Sequence, residues 1–183
     1  ATSNTVTMTV NPNLPLSVAI SADNNPICAG TNVTFTAVPT NGGTTPVYQW
    51  KLNGVNVGSN STTYSNNTLT NGDQVTCLLT SNANCATGNP ATSNVVTITV
   101  TAAPVASVSI SADNNPICSG TNVTFTATPT NGGVPTYQWY LNNNPVGSNS
   151  ATYSNNTLSN NDQIKVTMTS SIACVTGSPA TSN

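Results

Sequence analysis

The side chains best suited to chemistry in this 183-residue chain are five cysteines and four aspartates. The cysteines are Cys28, Cys77, Cys85, Cys118 and Cys174, and the aspartates are Asp23, Asp73, Asp113 and Asp162. The chain contains no His, Glu or Arg, so the usual general bases and most sets of metal ligands are missing. Because no pair of nucleophile and base can be assembled, we predict that the chain is not an enzyme and carries no cofactor.

The chain offers few charges to a charged partner. Its net charge is −2, and its only cations are Lys51 and Lys165. Two isolated lysines form no basic patch for nucleic acid or anionic lipid. No apolar run approaches the length of a membrane span. We therefore expect no nucleic-acid partner and no membrane insertion in this segment.

An internal repeat organises the chain. Residues 17–37 return almost unchanged as residues 107–127, a shift of 90 that becomes 89 after a one-residue deletion. A unit of this length suits one β-sandwich domain. The tetrapeptide ATSN occurs three times, and the segments TVTMTV and VVTITV follow the first two copies. We therefore expect the chain to be a piece of a longer tandem array. Residues 1–10 would be the closing strand of a preceding repeat, residues 11–16 a linker, and residues 17–100 the first domain. Residues 101–106 would be a second linker, and residues 107–183 a second domain that lacks its last strand.

Apolar residues alternate with polar ones in short segments, as in half-buried strands. Val33, Phe35 and Ala37 alternate with threonines, and turn signals such as Asn53-Gly54 separate the segments. No stretch has the helical period, so the sequence predicts an all-β fold of antiparallel sandwiches. The predicted core aromatics are Trp50, Trp139, Phe35 and Phe125.

Four of the cysteines recur at matched positions, Cys28 with Cys118 and Cys85 with Cys174. The recurrence predicts disulfides and an oxidising, extracellular location. Zinc is the alternative, but two thiols per repeat without His leave a site short of ligands. Cys77 maps instead to a valine and shares its strand face with apolar residues, so we predict a free buried thiol.

The repeats resemble immunoglobulin-like domains in two places. Each has a Trp in a Tyr-Gln-Trp segment that resembles strand C, and a Leu four residues before an Asp that resembles the E–F corner. The chain is also similar, nearly end to end, to the Ig-like tandem repeats of large Bacteroidetes-type cell-surface and gliding adhesins. The motifs behind that resemblance are Pro-Ile-Cys-Ala/Ser-Gly, Tyr-Gln-Trp, and a late Cys followed by Gly-x-Pro-Ala-Thr-Ser-Asn. The resemblance implies tandem Ig-like domains on a bacterial surface.

The Ig-like topology leaves two disulfide pairings open. It places Cys28 and Cys85 at opposite ends of one sandwich, separated by roughly 20 Å, too far for a disulfide. In a head-to-tail array, a Cys28–Cys174 bond between domains is feasible and is the pairing we favour, with Cys85 and Cys118 bonding to flanking repeats. The alternative is bonding within each repeat, Cys28–Cys85 and Cys118–Cys174.

Two further kinds of site receive weaker support. Asp23 and Asp73 would lie at the same end of the first domain, as would Asp113 and Asp162 in the second. These carboxylates are weak candidates for calcium, which prefers six or more oxygens; closing turns is their simpler role. Tyr140 is the one outward-facing aromatic candidate for a glycan-binding surface.

The sequence therefore predicts an extracellular structural or adhesive fibre built from tandem Ig-like repeats, with disulfides across domain junctions. The expected partners are adjacent repeats, neighbouring copies in a fibre and an unknown surface or glycan receptor. The alternative function is a module that binds surface glycans.

Overall fold

The computed structural model describes residues 2–182, which contain strands, turns and loops but no helix, and hence no helix able to span a membrane. The chain divides after Thr101 into two compact units. The all-β prediction is confirmed. The first unit has β1 (Leu14–Pro15), β2 (Ser17–Ala22), β3 (Ile27–Cys28), β4 (Val33–Thr40), β5 (Val47–Leu52), β6 (Val55–Val57), β7 (Thr63–Asn66), β8 (Gln74–Thr80), β9 (Ala86–Thr87), β10 (Ala91–Thr92), β11 (Val96–Thr97) and β12 (Val100–Thr101). The second has β13 (Ser107–Ala112), β14 (Val123–Thr130), β15 (Thr136–Leu141), β16 (Asn144–Val146), β17 (Thr152–Asn155), β18 (Ile164–Thr169) and β19 (Ala180–Thr181).

The first unit is a sandwich of two antiparallel sheets. One sheet has the order β2-β4-β7, and the other runs from β6 through β5 to β8, with β10 and β11 both paired to the outer edge of β8. This is the A-B-E and C′-C-F-G arrangement of an Ig-like sandwich. Asn53 (φ 51°) and Gly54 (φ 81°) join β5 to β6 in a type I′ hairpin turn. This turn needs positive φ at both central residues, and Asn and Gly accept it.

The core of the first unit lies between the two sheets. Trp50 is completely buried, its ring centroid is 6.4 Å from that of Phe35, and its indole N–H donates to the Ser61 carbonyl at 2.9 Å. Leu79 and Val75 of β8, which pairs with the strand of Trp50 in the same sheet, are also fully buried. Apolar and polar residues alternate along each strand, so the apolar side chains all lie on the inner face of their sheet.

The second unit repeats the architecture. Its sheets are β13-β14-β17 and β16-β15-β18-β19, and Trp139 is again fully buried with its N–H donating to the Ser150 carbonyl at 2.9 Å. Phe125, predicted to be a buried core aromatic, is only half-buried and stacks on Tyr153 at 6.3 Å. Phe125 is only half-buried because it lines an open cavity beside β14.

The predicted linkers are shorter than expected. Pro15 and its neighbour in β1 pair in parallel with β9, and Leu16 is buried, so residues 14–16 belong to the first sandwich. Val105 likewise bridges to Thr176, and Ala106 is buried in the second. Residues 5–10 form no strand in the structure. Their pairing with a preceding domain stays a prediction.

Candidate functional site

The five cysteines fall into two states. Cys28 and Cys174 are disulfide-bonded, whereas Cys77, Cys85 and Cys118 are free thiols. Cys85 and Cys118 are exposed. The two bonds of the within-repeat alternative, each of which needs one of these exposed thiols, are therefore not formed.

Backbone pairing holds the segment that carries Cys28. Cys28 ends β3, which pairs in parallel with β12, and its carbonyl accepts a hydrogen bond from the Thr31 N–H at 3.1 Å. Cys118 keeps the equivalent turn, with the Thr121 N–H donating at 3.1 Å. In the described part of the second unit, however, no strand pairs with the segment of Cys118. The matched cysteines thus differ in support as well as in bonding.

Cys77 lies at the centre of β8 and is completely buried. It sits opposite Trp50 in the β5–β8 register, and its backbone N–H donates to the Ser93 hydroxyl at 2.9 Å. Burial raises the pKa of the Cys77 thiol to about 11. Because the thiolate is the reactive form, this thiol behaves as a small apolar side chain at neutral pH.

The aspartates close turns within their own units. Asp73 accepts hydrogen bonds from the Thr70 N–H and the Asn53 amide, each at 2.8 Å, and the backbone bond is the main cause that holds its pKa below the usual value. Asp162 makes the equivalent contacts, and its pKa is lowered for the same reason. Asp23 accepts from the Thr34 N–H at 3.0 Å, and Asp113 does the same with the Thr124 N–H.

All four aspartates therefore already accept hydrogen bonds within their own units. Residues 2–182 contain no group of three or more His, Cys, Asp or Glu side chains able to hold a metal ion. The four aspartates thus accept turn-closing hydrogen bonds in this structure, and calcium binding at them stays a prediction.

Tyr140, the candidate for glycan contact, is half-buried. The Lys165 ammonium lies 5.3 Å from the centroid of its ring and donates to the Asn143 side-chain oxygen at 2.7 Å. A lysine placed over the ring in this way makes a cation–π contact. One face of the Tyr140 ring thus contacts the protein's own lysine, and glycan binding there stays a prediction.

The closing strand of the first unit pairs with two different strands. Its first part, β11, pairs with β8, and its second part, β12, pairs with β3. Ile98, between the two parts, is buried, its N–H donates to the Asp73 carbonyl, and its carbonyl accepts from the Gly72 N–H, both at 2.8 Å. The alternation of Val96, Ile98 and Val100 with threonines predicts one continuous strand, and the structure instead divides it between two partners.

Three asparagines that the sequence analysis did not single out fix this strand. The Asn25 side chain bonds the Thr97 carbonyl at 2.8 Å and the Thr99 N–H at 2.9 Å. Asn71 accepts from the Val100 N–H at 2.9 Å, and Asn94 bonds both backbone groups of a β2 residue. Asn25 and Asn71 recur at matched positions in the second repeat, and this recurrence could have indicated their role. Asn is so common in this chain that the recurrence does not distinguish these two residues from the others.

The second unit has a cavity where the first has its closing strand. The cavity measures ≈ 720 Å³ and is lined by both polar and apolar residues. Its apolar lining includes Ile110, Ala112, Ile117, Val123, Phe125, Leu158 and Ile164. Asn115 and Asn160, which match the strand-fixing Asn25 and Asn71, are among its polar lining residues.

Comparison with known proteins gives distant likenesses only. No family model matches the chain, and no curated protein matches it. The chain is similar to fibronectin(III)-like modules of CbhA from Clostridium thermocellum, at 14% identity and a TM-score of 0.37, over 90% of this chain and 89% of that one. It is also similar to the human OSCAR ligand-binding domain, at 14% identity and a TM-score of 0.35, over 94% of this chain and 96% of that one. The strand order of the chain itself remains the basis for its sandwich architecture.

Proposed function

We propose that this chain is a segment of an extracellular structural or adhesive fibre, a stalk of tandem Ig-like repeats joined by disulfides between successive domains. The observation that carries the proposal is the state of the cysteines. Cys28 of the first repeat and Cys174 of the second are disulfide-bonded, and the other three cysteines are free. The pairing we infer is Cys28 with Cys174.

The two exposed thiols fit the same pattern. Cys118 is the counterpart of Cys28, and Cys85 is the counterpart of Cys174. If each repeat bonds its early cysteine to the late cysteine of the next repeat, then Cys118 bonds a following repeat and Cys85 a preceding one. One rule therefore accounts for both bonded and both exposed cysteines of the recurrent set.

Such bonding suits a load-bearing role. Near-identical domains on short linkers make a rod whose length scales with the number of repeats. A disulfide from the start of one domain to the end of the next would carry tension past the hydrogen-bonded sheets between them. Only six side chains on the chain are charged, so contacts along such a rod would depend little on salt or pH.

Tryptic digestion without reductant tests the proposed pairing with unusual clarity. The only basic residues are Lys51 and Lys165, so trypsin yields three peptides, 1–51, 52–165 and 166–183. Cys28 lies in the first and Cys174 in the last, while the three other cysteines lie in the middle peptide. We expect mass spectrometry to find the first peptide linked to the last, with the middle peptide released after the free thiols are alkylated.

The within-repeat pairing gives a different result. It would join the first peptide to the middle one and the middle one to the last, so that no peptide is released until reductant is added. That outcome would remove the junction crosslink from the proposal. Digestion of the reduced and alkylated chain is the control and should release all three peptides.

A further inference from the structure

We propose that the outer face of the three-stranded sheet in each unit binds ice through rows of serine and threonine hydroxyls. This face belongs to β2-β4-β7 in the first unit and to β13-β14-β17 in the second. Ice binding goes beyond the proposed fibre, because it needs neither a disulfide nor an adhesive partner.

The outward positions of this sheet carry almost only hydroxyl side chains. Side chains of a strand alternate between its two faces, so these positions are every second residue. In the first unit they begin at Ser17, Thr34 and Thr63, and seven of the nine are Ser or Thr, the others being Ala19 and Val38. In the second unit all nine matched positions are Ser or Thr. None of the eighteen carries a charged side chain.

The preference of strands for certain residue types does not explain this composition. The outward positions of the opposite sheet include Gln49, Lys51 and Leu78 in the first unit, and Tyr140 and Lys165 in the second. Both sheets are subject to the same preference for residues that fit a pleated surface. The hydroxyl composition is therefore specific to one face of each unit.

The strand register arranges the hydroxyls in two directions. Ser21, Thr36 and Thr63 lie side by side on the three strands of the first unit, and their counterparts form the same row in the second. Neighbouring strands are about 4.7–4.9 Å apart, and outward residues of one strand are about 6.4–6.8 Å apart. These spacings are close to the two repeat distances of oxygen atoms on a prism face of hexagonal ice. Hydroxyls of this face can therefore take positions of water in that lattice.

The hydroxyls are also restricted in orientation. Thr is branched at Cβ, so few rotamers are open to it. The Thr34 and Ser65 hydroxyls hydrogen-bond to each other at 3.1 Å, and those of Thr124 and Ser154 do so at the same distance. Asp23, directly after β2, turns its carboxylate to the Thr34 backbone N–H at 3.0 Å, and its counterpart does the same. The charges nearest to the face are thus engaged by the backbone at its margin.

The same composition favours ice over other regular surfaces. Sugar surfaces are typically bound by aromatic side chains, and calcium minerals by carboxylates. Neither type stands at the outward positions of this sheet. A crystal of water needs only small hydrogen-bonding and apolar groups, and Thr supplies both, as a hydroxyl and a methyl.

The twist of the sheet limits how strongly each face binds. Neighbouring strands are rotated by roughly 20–25°, so the match to a flat lattice covers only a few rows. We therefore expect the protein to slow the recrystallisation of ice without stopping the growth of a single crystal.

The test compares the full chain with two double variants in an ice recrystallisation assay. Thr36→Asp with Thr126→Asp places a carboxylate in the middle of each face. It should raise the protein concentration that halves the rate of grain growth by more than about tenfold, because an ionised carboxylate leaves liquid water at a large cost. Thr80→Asp with Thr169→Asp is the matched control: it adds the same charges at exposed outward positions of the opposite sheet and should act like the unaltered chain. All four positions are exposed, so the melting temperatures should stay close to that of the parent.

Incorporation into slowly grown ice gives a second measurement. The unaltered chain should be enriched in the ice relative to an unrelated globular protein added to the same solution. Thr36→Lys with Thr126→Lys should be excluded from the ice as the aspartate pair is, because either charge disrupts the lattice at the face.

Several results would overturn the inference. These are an unaltered chain that slows recrystallisation no more than an equal mass of an unrelated protein, charged-face variants that keep full activity, and control variants that lose it. Binding to insoluble cellulose without binding to ice would assign the face to a polysaccharide instead. None of these results changes the peptide map that tests the proposed disulfide, so the two proposals can fail separately.

Discussion

Reduction of the proposed Cys28–Cys174 bond should change how far the chain extends under force. In the oxidised protein, tension applied to the two termini would pass through the sulfur atoms. The chain between the two cysteines would then remain unloaded, even if both domains lost their hydrogen bonds. Reduction, or the variant Cys174→Ser, should place that chain in the path of the force.

The expected increment is large because the bond encloses most of the chain. From position 28 to position 174 there are 146 peptide units. At roughly 3.3–3.6 Å per residue, they correspond to about 500 Å of contour length. The 36 residues outside the loop supply only about 125 Å by the same rule. With the bond intact, the total contour length of the unfolded chain should thus be about fivefold shorter, before the length of the folded state is subtracted.

Single-molecule force spectroscopy with handles on the two termini measures this directly. The control is Cys77→Val, which removes a thiol that the structure shows to be free and copies the residue at the matched position, Val166. It should keep the short extension without reductant and gain the long one with it. Long extension of a fully oxidised sample, before any reductant is added, would refute the reasoning.

Three further predictions concern the first domain and the free thiols. A thiol reagent should label Cys85 and Cys118 in the native protein but Cys77 only after unfolding, because burial raises its pKa to about 11; native labelling of three sites would place its strand face outward. Asp73→Asn should lower the free energy of unfolding at neutral pH by no more than about 1 kcal/mol, since the carboxylate is near the surface. The pKa of Asp73 is lowered in the folded state, so its carboxylate stabilises the fold above the unfolded pKa of 3.8, and this stabilisation is lost as the pH falls through the lower folded pKa. The melting curves of variant and parent should therefore converge at that low pH. A difference that persists there would show that the carboxylate's charge is not the cause. Leu79→Ala should cost about 2–5 kcal/mol in urea unfolding, and a cost below about 1 kcal/mol would contradict the described core.

Much of the fold follows from short-range patterns in the sequence. In β4, the buried positions are Val33, Phe35 and Ala37, with threonines between them. Alternation of this kind shows both that a strand forms and which face it buries, because successive side chains of a strand point to opposite sides. The hairpin at Asn53-Gly54 is also local, since it depends on the positive φ that these two residues accept.

The repeat added a comparison that no single domain offers. It located the matched cysteines, and it marked residues 5–10 as similar to a closing strand on sequence grounds alone. It also predicted a similar core in each copy, with a buried Trp and a buried Phe. For Trp139 the structure has that environment, and for Phe125 it does not.

The difference at Phe125 depends on a segment distant in sequence. Phe125 has the same immediate neighbours along the chain as Phe35, yet Phe35 is fully buried in a core cluster that also contains Ile98 of the closing strand. That strand is held by groups such as Asn25, whose side chain bonds Thr97 across 72 positions. Residues close in sequence indicate neither the division of this strand between two partners nor which asparagines bond to it. Strand formation is set by neighbouring residues and could be predicted, whereas burial and disulfide state depend on which distant segment arrives, and only the tertiary structure decides that.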